Sequence, residues 1–142
     1  MGKLFPVRIL KNAELLLRLT MIVATITAGV SKFFSHGGFH DYYLQQFNRP
    51  ELRIQLPSFL PDFYLTIIPF IEVGLGLALF IPRTRRIFAV VFVLYFLTLS
   101  VGHYIMEEFL EVDVVLPLTL IGILDYILPS YTSYFKRMAE DE

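Results

Sequence analysis

The stretch Ile71–Arg86, IEVGLGLALFIPRTRR, restricts this chain more than any other. It sets one carboxylate, Glu72, inside an apolar run and follows it with Gly74, Gly76 and Ala78. Pro82 stops the run, and Arg83, Arg85 and Arg86 come directly after it. An acid in an apolar helix is expensive unless something pairs with it. Small residues let a second helix come close. Arginines at the exit mark the cytoplasmic side of a membrane span. The stretch therefore asks for partner helices, a countercharge and a bilayer.

The composition agrees. Of the 142 residues, 56% are hydrophobic and 18% charged, and a soluble domain of that length cannot cover so much apolar surface. The length suits a single domain. No basic face exists for nucleic acid. The absence of cysteine rules out disulfides, thiol relays, iron–sulfur ligation and Cys-based zinc sites, and no metal site is expected. The histidines are His36, His40 and His103, of which His103 alone falls in an apolar run, so haem held by two helix-borne histidines cannot be built within one chain.

Hydropathy predicts an all-α membrane protein, a four-transmembrane-helix bundle with spans at about 13–34, 62–81, 86–105 and 112–129. Residues 1–142 read as one membrane domain. The basic N-terminus, with Lys3, Arg8, Lys11 and Arg18, looks like a signal peptide, but no clear small-x-small cleavage site precedes Lys32, so the first span is expected to stay attached. Lys3, Arg8, Lys11, Arg83, Arg85, Arg86, Lys136 and Arg137 fall on one side of such a bundle, and the Met106–Asp113 turn on the other side is acidic. This places the chain in the cell inner membrane, multi-pass, with both termini cytoplasmic. In the long connection from Ser35 to Pro61, Phe39, Tyr43 and Phe47 recur four apart, which predicts a short interfacial helix with its aromatic side toward bilayer or bundle. Leu52, Ile54 and Leu56 then alternate as in an extended segment.

Six ionisable groups lie in or at the edges of the spans: Arg18, Lys32, Glu72, His103, Asp113 and Asp125. At 100° per residue, Arg18, Met21, Ile22, Thr25, Gly29 and Lys32 share one stripe of span one. Glu72 and Gly76 share a face of span two, and Gly74 and Ala78 share the opposite one. Depth suggests an inner cluster of Arg18 with Glu72, Asp125 or both, and an outer cluster of Lys32, His103 and Asp113. Tyr95, Thr98 and Gly102 form a polar stripe on span three. Each group also has a plain reading. Lys32 and Arg18 can snorkel to the headgroups, Asp113 can cap span four, Asp125 can reach the inner interface, and His103 can be interfacial. Glu72 is too deep and too short for that, and needs a buried pair or a raised pKa.

Span one, LLLRLTMIVATITAGVSKFF, and the central piece, IEVGLGLALFIPRTRRIFAV, resemble the DoxX-like membrane proteins. The matching features are Arg18, Gly29 with Lys32, Glu72 with Gly74 and Gly76, and the Arg83–Arg86 turn, with the glycine after the acid shifted or duplicated. The resemblance implies four helices and a role as an integral-membrane partner of an oxidoreductase complex, with quinone as a ligand. On that reading Arg18, Lys32 and Glu72 form the polar core, with His103 and Asp125 behind them. Arg18 and Lys32 would bond a quinone carbonyl while a carboxylate relays the proton. The chain itself shows no redox centre, so electrons would come from a protein partner. The rival reading is a non-catalytic scaffold or assembly factor whose buried ions set helix register. The Gly74/Ala78 face would serve either the bundle or a homo-oligomer.

Overall fold

The structure is a computed structural model and describes residues 6–35 and 38–130. Among these residues it consists of five helices and no strands: α1 (Val7–Phe34), α2 (Gly38–Phe47), α3 (Phe59–Leu79), α4 (Arg85–Ile105) and α5 (Phe109–Ile127). Lys3, Lys136 and Arg137 of the orientation argument, and His36, lie outside the described residues.

Helices α1, α3 and α4 are long and apolar enough to cross a membrane. α5 carries Glu111, Asp113 and Asp125 among its 19 residues and is not in that class. Three of the four expected spans are therefore present by length and composition. α1 begins at Val7, six residues before the expected Ala13, because its inward stripe continues past the apolar part: Lys11, Glu14 and Arg18 are buried along with Met21, Ile22, Thr25 and Gly29. Hydropathy could not see this turn, since it is charged and yet faces the bundle.

α1 lies along α3, and α4 lies along α5; contacts of α1 with α5 and α3 with α4 close the bundle. The core between them holds Met21, Leu65, Ile68, Leu79, Ala89 and Phe92. The outside is also apolar, with Leu16, Phe63, Phe70, Leu94, Leu110 and Leu120 exposed, the surface of a bundle solvated by lipid.

Glycines set the closest approach. A Cβ on Gly29 would lie 2.9 Å from the Pro69 carbonyl oxygen, and one on Gly76 would lie 2.5 Å from Ile26 Cγ1 and 2.7 Å from Thr25 Oγ1. One glycine from each helix thus lets α1 and α3 meet backbone to backbone. Gly74, by contrast, is exposed, and among the described residues nothing lies within 4 Å of its Cβ position.

α2 forms where the aromatic spacing predicts it. Phe47 is buried, and Phe39 and Tyr43 pack on the core, so the aromatic face turns toward the bundle. The following segment is irregular: Leu52 is buried, Leu56 half-buried and Ile54 exposed. α4 ends in a tight turn. Glu107 takes a left-handed φ of 61°, its N–H donates to the Tyr104 carbonyl at 3.1 Å, and the Glu108 N–H donates to the His103 carbonyl at 2.9 Å. This is the Schellman closure of a helix. It shortens the connection so that α5 starts at Phe109.

Candidate functional site

The buried charges divide into two groups at opposite ends of the bundle, and the division differs from the one expected by depth. Glu72 is not bonded to Arg18. Lys32 Nζ lies 2.8 Å from Glu72 Oε1 and 2.6 Å from Oε2, and the Tyr95 hydroxyl donates to Oε1 at 2.7 Å. Glu72 is 2% exposed, whereas the Lys32 side chain keeps 18% of its surface accessible. The carboxylate thus receives charge-assisted bonds from an ammonium and a phenol on two other helices. Arg18 is 14 positions earlier on α1, about 21 Å along the helix at 1.5 Å per residue. Arg18 and Lys32 therefore cannot grip one carbonyl between them.

Local sequence explains the convergence. Lys32, Gly29 and Thr25 sit on one stripe of α1, so the lysine is delivered beside α3 where Gly29 allows contact with Pro69, Glu72 and Val73. Lys32 folds back toward the Ala28 carbonyl, 3.4 Å away, instead of snorkelling outward. Its ammonium also stands 5.1 Å from the centre of the Phe39 ring, a cation–π contact that ties α2 over this end of the bundle.

A second polar pair continues from the first. The Thr98 hydroxyl donates to the Tyr95 carbonyl at 2.7 Å and lies 2.7 Å from the Tyr64 hydroxyl. The expected stripe on α4 thus serves two partners: Tyr95 meets Glu72, and Thr98 meets Tyr64.

The outer cluster expected from Lys32, His103 and Asp113 does not form. His103 Nδ1 bonds Glu108 Oε2 at 2.9 Å, and the ring stands edge-on to Tyr43. Asp113 is exposed and joins neither group. His40 spans α2 and α3, with Nδ1 3.2 Å from Asp41 Oδ1 and Nε2 3.0 Å from Asp62 Oδ1. The hydrogen bond to Asp41 raises its pKa, opposed by burial and helped by Asp62. Burial, with the nearby Glu108 and Glu111 carboxylates, raises the Tyr43 pKa.

The inner group contains two residues that sequence reasoning passed over. Glu14 Oε1 lies 3.4 Å from Arg18 Nε and 3.5 Å from Arg85 Nε. Arg85 Nη1 donates to the Asp125 carbonyl and stands 3.2 Å from Asp125 Oδ2, and Nη2 donates to the Leu128 carbonyl at 2.9 Å. Arg18, Arg85, Glu14 and Asp125 are two cations and two carboxylates, all nearly inaccessible, from α1, α4 and α5. A count of charges makes Arg85 one of three loop arginines, although its spacing to Ala89, Phe92 and Phe96 puts it on the buried face of α4. Glu14 and Arg18 are four apart, the helical ion-pair spacing, which was a readable signal.

Chemically, the inner group locks three helix ends. The outer group sets a buried carboxylate against an ammonium and a phenol from two other helices. Among the described residues no three His, Asp or Glu side chains converge as metal ligands would.

No curated protein and no solved structure matches this chain. The family model described as methylamine utilisation protein MauE matches residues 10–111, more than half of the chain. The match runs from the first turn of α1 to the first turn of α5, so it takes in Glu14, Arg18, Lys32, Glu72, Arg85 and Tyr95 and leaves out Asp125. It overturns the DoxX-like assignment, which rested on short motifs made of residues common to many membrane helices. The chain belongs to the MauE family of methylamine utilisation proteins.

Proposed function

We propose that this protein is a membrane-embedded accessory of a methylamine-utilising redox system, and that Lys32, Glu72 and Tyr95 are its working site. The observation that carries this reading is Glu72 itself. It is 2% exposed, in the middle of a membrane helix, and bonded to an ammonium and a phenol. An ionisable group inside a membrane helix is by default a functional candidate. The family name supplies the process, methylamine utilisation. In this reading the electrons come from a protein partner.

In this reading α5 is a fourth span. Its 19 residues nearly suffice to cross, Asp125 is paired internally with Arg85, and Glu111 and Asp113 lie at its outer end. Both termini are then on the cytoplasmic side of the inner membrane, and α2 lies in the outer interface. The open Gly74 face is left for a partner helix or a second copy.

The scaffold reading keeps one specific support, the charge-balanced inner group, which does no more than fix helix ends. Growth on methylamine of a host lacking its own copy, complemented by variants, separates the two. The site reading expects Tyr95→Phe and the double variant Lys32→Met/Glu72→Met to reach the membrane folded and fail to restore growth. If the folded double variant restores growth fully, the pair is structural and the scaffold reading replaces this one.

A further inference from the structure

A groove of about 590 Å³ opens sideways between α3 and α4, on the face that carries Phe63, Leu94 and Leu97. Phe47 of α2 and Leu56 of the following segment contribute to its lining, so it is more than a seam between two lipid-facing helices. Among the described residues no charged side chain lines it. The side-chain polar groups among its described lining residues are the hydroxyls of Tyr64 and Thr98. A groove open to lipid, without charge, admits only an uncharged, lipid-soluble molecule.

The hydrogen bonds say more. Thr98 has one hydroxyl proton, and it goes to the Tyr95 carbonyl. Tyr64 must therefore donate its own proton to Thr98 Oγ1, 2.7 Å away. Both donors are used, and the Tyr64 oxygen is left with acceptor capacity. In a bilayer no water is present to use that capacity. A ligand hydroxyl can donate to it without disturbing either existing bond. An acyl chain has no donor to offer. The aromatic walls, Phe47 and Phe63, favour a planar ring, and the volume lies in the usual range for small-molecule sites.

We infer that this groove binds a lipid-soluble molecule bearing a hydroxyl on an aromatic ring, a phenol or quinol with an apolar tail, held by Tyr64. The site is distinct from Lys32, Glu72 and Tyr95 and does not require them to act chemically. Its test reads binding, not growth, so its failure leaves the proposed function standing.

The probe is ring-fluorinated 4-nonylphenol, titrated by fluorine NMR into phosphatidylcholine nanodiscs with and without the protein. Saturable binding above empty nanodiscs is expected. The methyl ether of the probe, which cannot donate, should bind about three- to tenfold more weakly, and Tyr64→Phe should weaken the phenol by a similar factor. Leu97→Trp, which fills the groove, should abolish binding, while Leu120→Trp on the exposed face of α5 should not change it. Far-UV circular dichroism checks that each variant is folded. Absence of saturable binding, equal affinity for phenol and ether, or undiminished binding to folded Leu97→Trp would each overturn the assignment.

Discussion

Arg85 gives the inner group a quantitative test. Its guanidinium, 2% exposed, donates to the Asp125 and Leu128 carbonyls and lies 3.2 Å from Asp125 Oδ2 and 3.5 Å from Glu14 Oε1. Arg85→Met keeps most of the apolar stem and removes all four contacts. A bond from a charged group contributes about 1.5–3 kcal/mol, and stranding one partner of a buried pair costs about 3–5 kcal/mol. The contributions overlap. Glu14 keeps Arg18 at 3.4 Å, whereas fully buried Asp125 loses the cation it bonds and already has one oxygen, Oδ1, without a hydrogen-bond donor. The loss therefore concentrates on Asp125, and about 3–5 kcal/mol is expected for the single variant. Arg85→Lys should recover only a minor part, because an ammonium cannot fork between a carboxylate and two carbonyls. Adding Asp125→Leu to Arg85→Met removes the stranded charge and should bring stability back to within about 2 kcal/mol of the parent. Reversible unfolding in mixed micelles, followed by far-UV circular dichroism, supplies the double-mutant cycle. A single-variant loss under about 1 kcal/mol, or single losses that add within about 0.5 kcal/mol, would refute the assignment of Arg85 as the clamp.

Other perturbations read other parts of the fold. Gly76→Ala should cost about 1–3 kcal/mol in the same assay, because its Cβ would stand 2.5 Å from Ile26 Cγ1, whereas Gly74→Ala meets nothing and should cost nothing. Glu107→Gly should stabilise by about 1 kcal/mol, since a φ of 61° strains a residue with a Cβ, and the contact it gives up, with Arg53 at 3.7 Å, is exposed. The raised pKa of His40 means that its bridge from α2 to Asp62 is fully made below the ordinary histidine pKa of about 6.5 and is lost as pH rises through the higher folded value. Hydrogen exchange in α2, corrected for intrinsic rates, should show more protection at the acid end of that window than at the alkaline end. Asp62→Asn should flatten the difference; an unchanged pH dependence in that variant would remove the latch.

What could be read from the sequence was periodicity, and what could not was pairing. The stripe from Arg18 to Lys32 and the shared face of Glu72 and Gly76 follow from 100° per residue, and both face the bundle. The partner of Glu72 did not follow, because depth was measured from a helix assumed to begin at Ala13. α1 begins six residues earlier, so Arg18 belongs with Glu14 and the end of α4, and Lys32 comes level with Glu72. The role of Arg85 is hidden for a related reason. The positive-inside rule treats loop arginines as interchangeable charges. Helical phase distinguishes them: Arg83 and Arg86 are exposed, and Arg85 is among the most buried side chains in the protein. That Gly74 stands open among the described residues is not legible in its spacing to Ala78, since openness depends on where the other helices go.

The two buried groups also differ in what their cations can do, and that difference leads to the most direct test of the outer one. The inner group is built on arginines, which stay charged at any physiological pH. Those cations hold helices together and cannot exchange protons. The outer group pairs Glu72 with a lysine ammonium and with a phenol. Lys32 also keeps 18% of its surface, so it has a route to the outside that Arg85 lacks. Lys32→Arg preserves the countercharge to Glu72 and removes the exchangeable proton. If Lys32 only sets helix register, Lys32→Arg should support growth on methylamine as well as the parent does. If the proton matters, the variant should fold with a stability within about 1–2 kcal/mol of the parent and still fail to grow. A folded Lys32→Arg protein that grows normally would assign the Lys32–Glu72 pair to register alone.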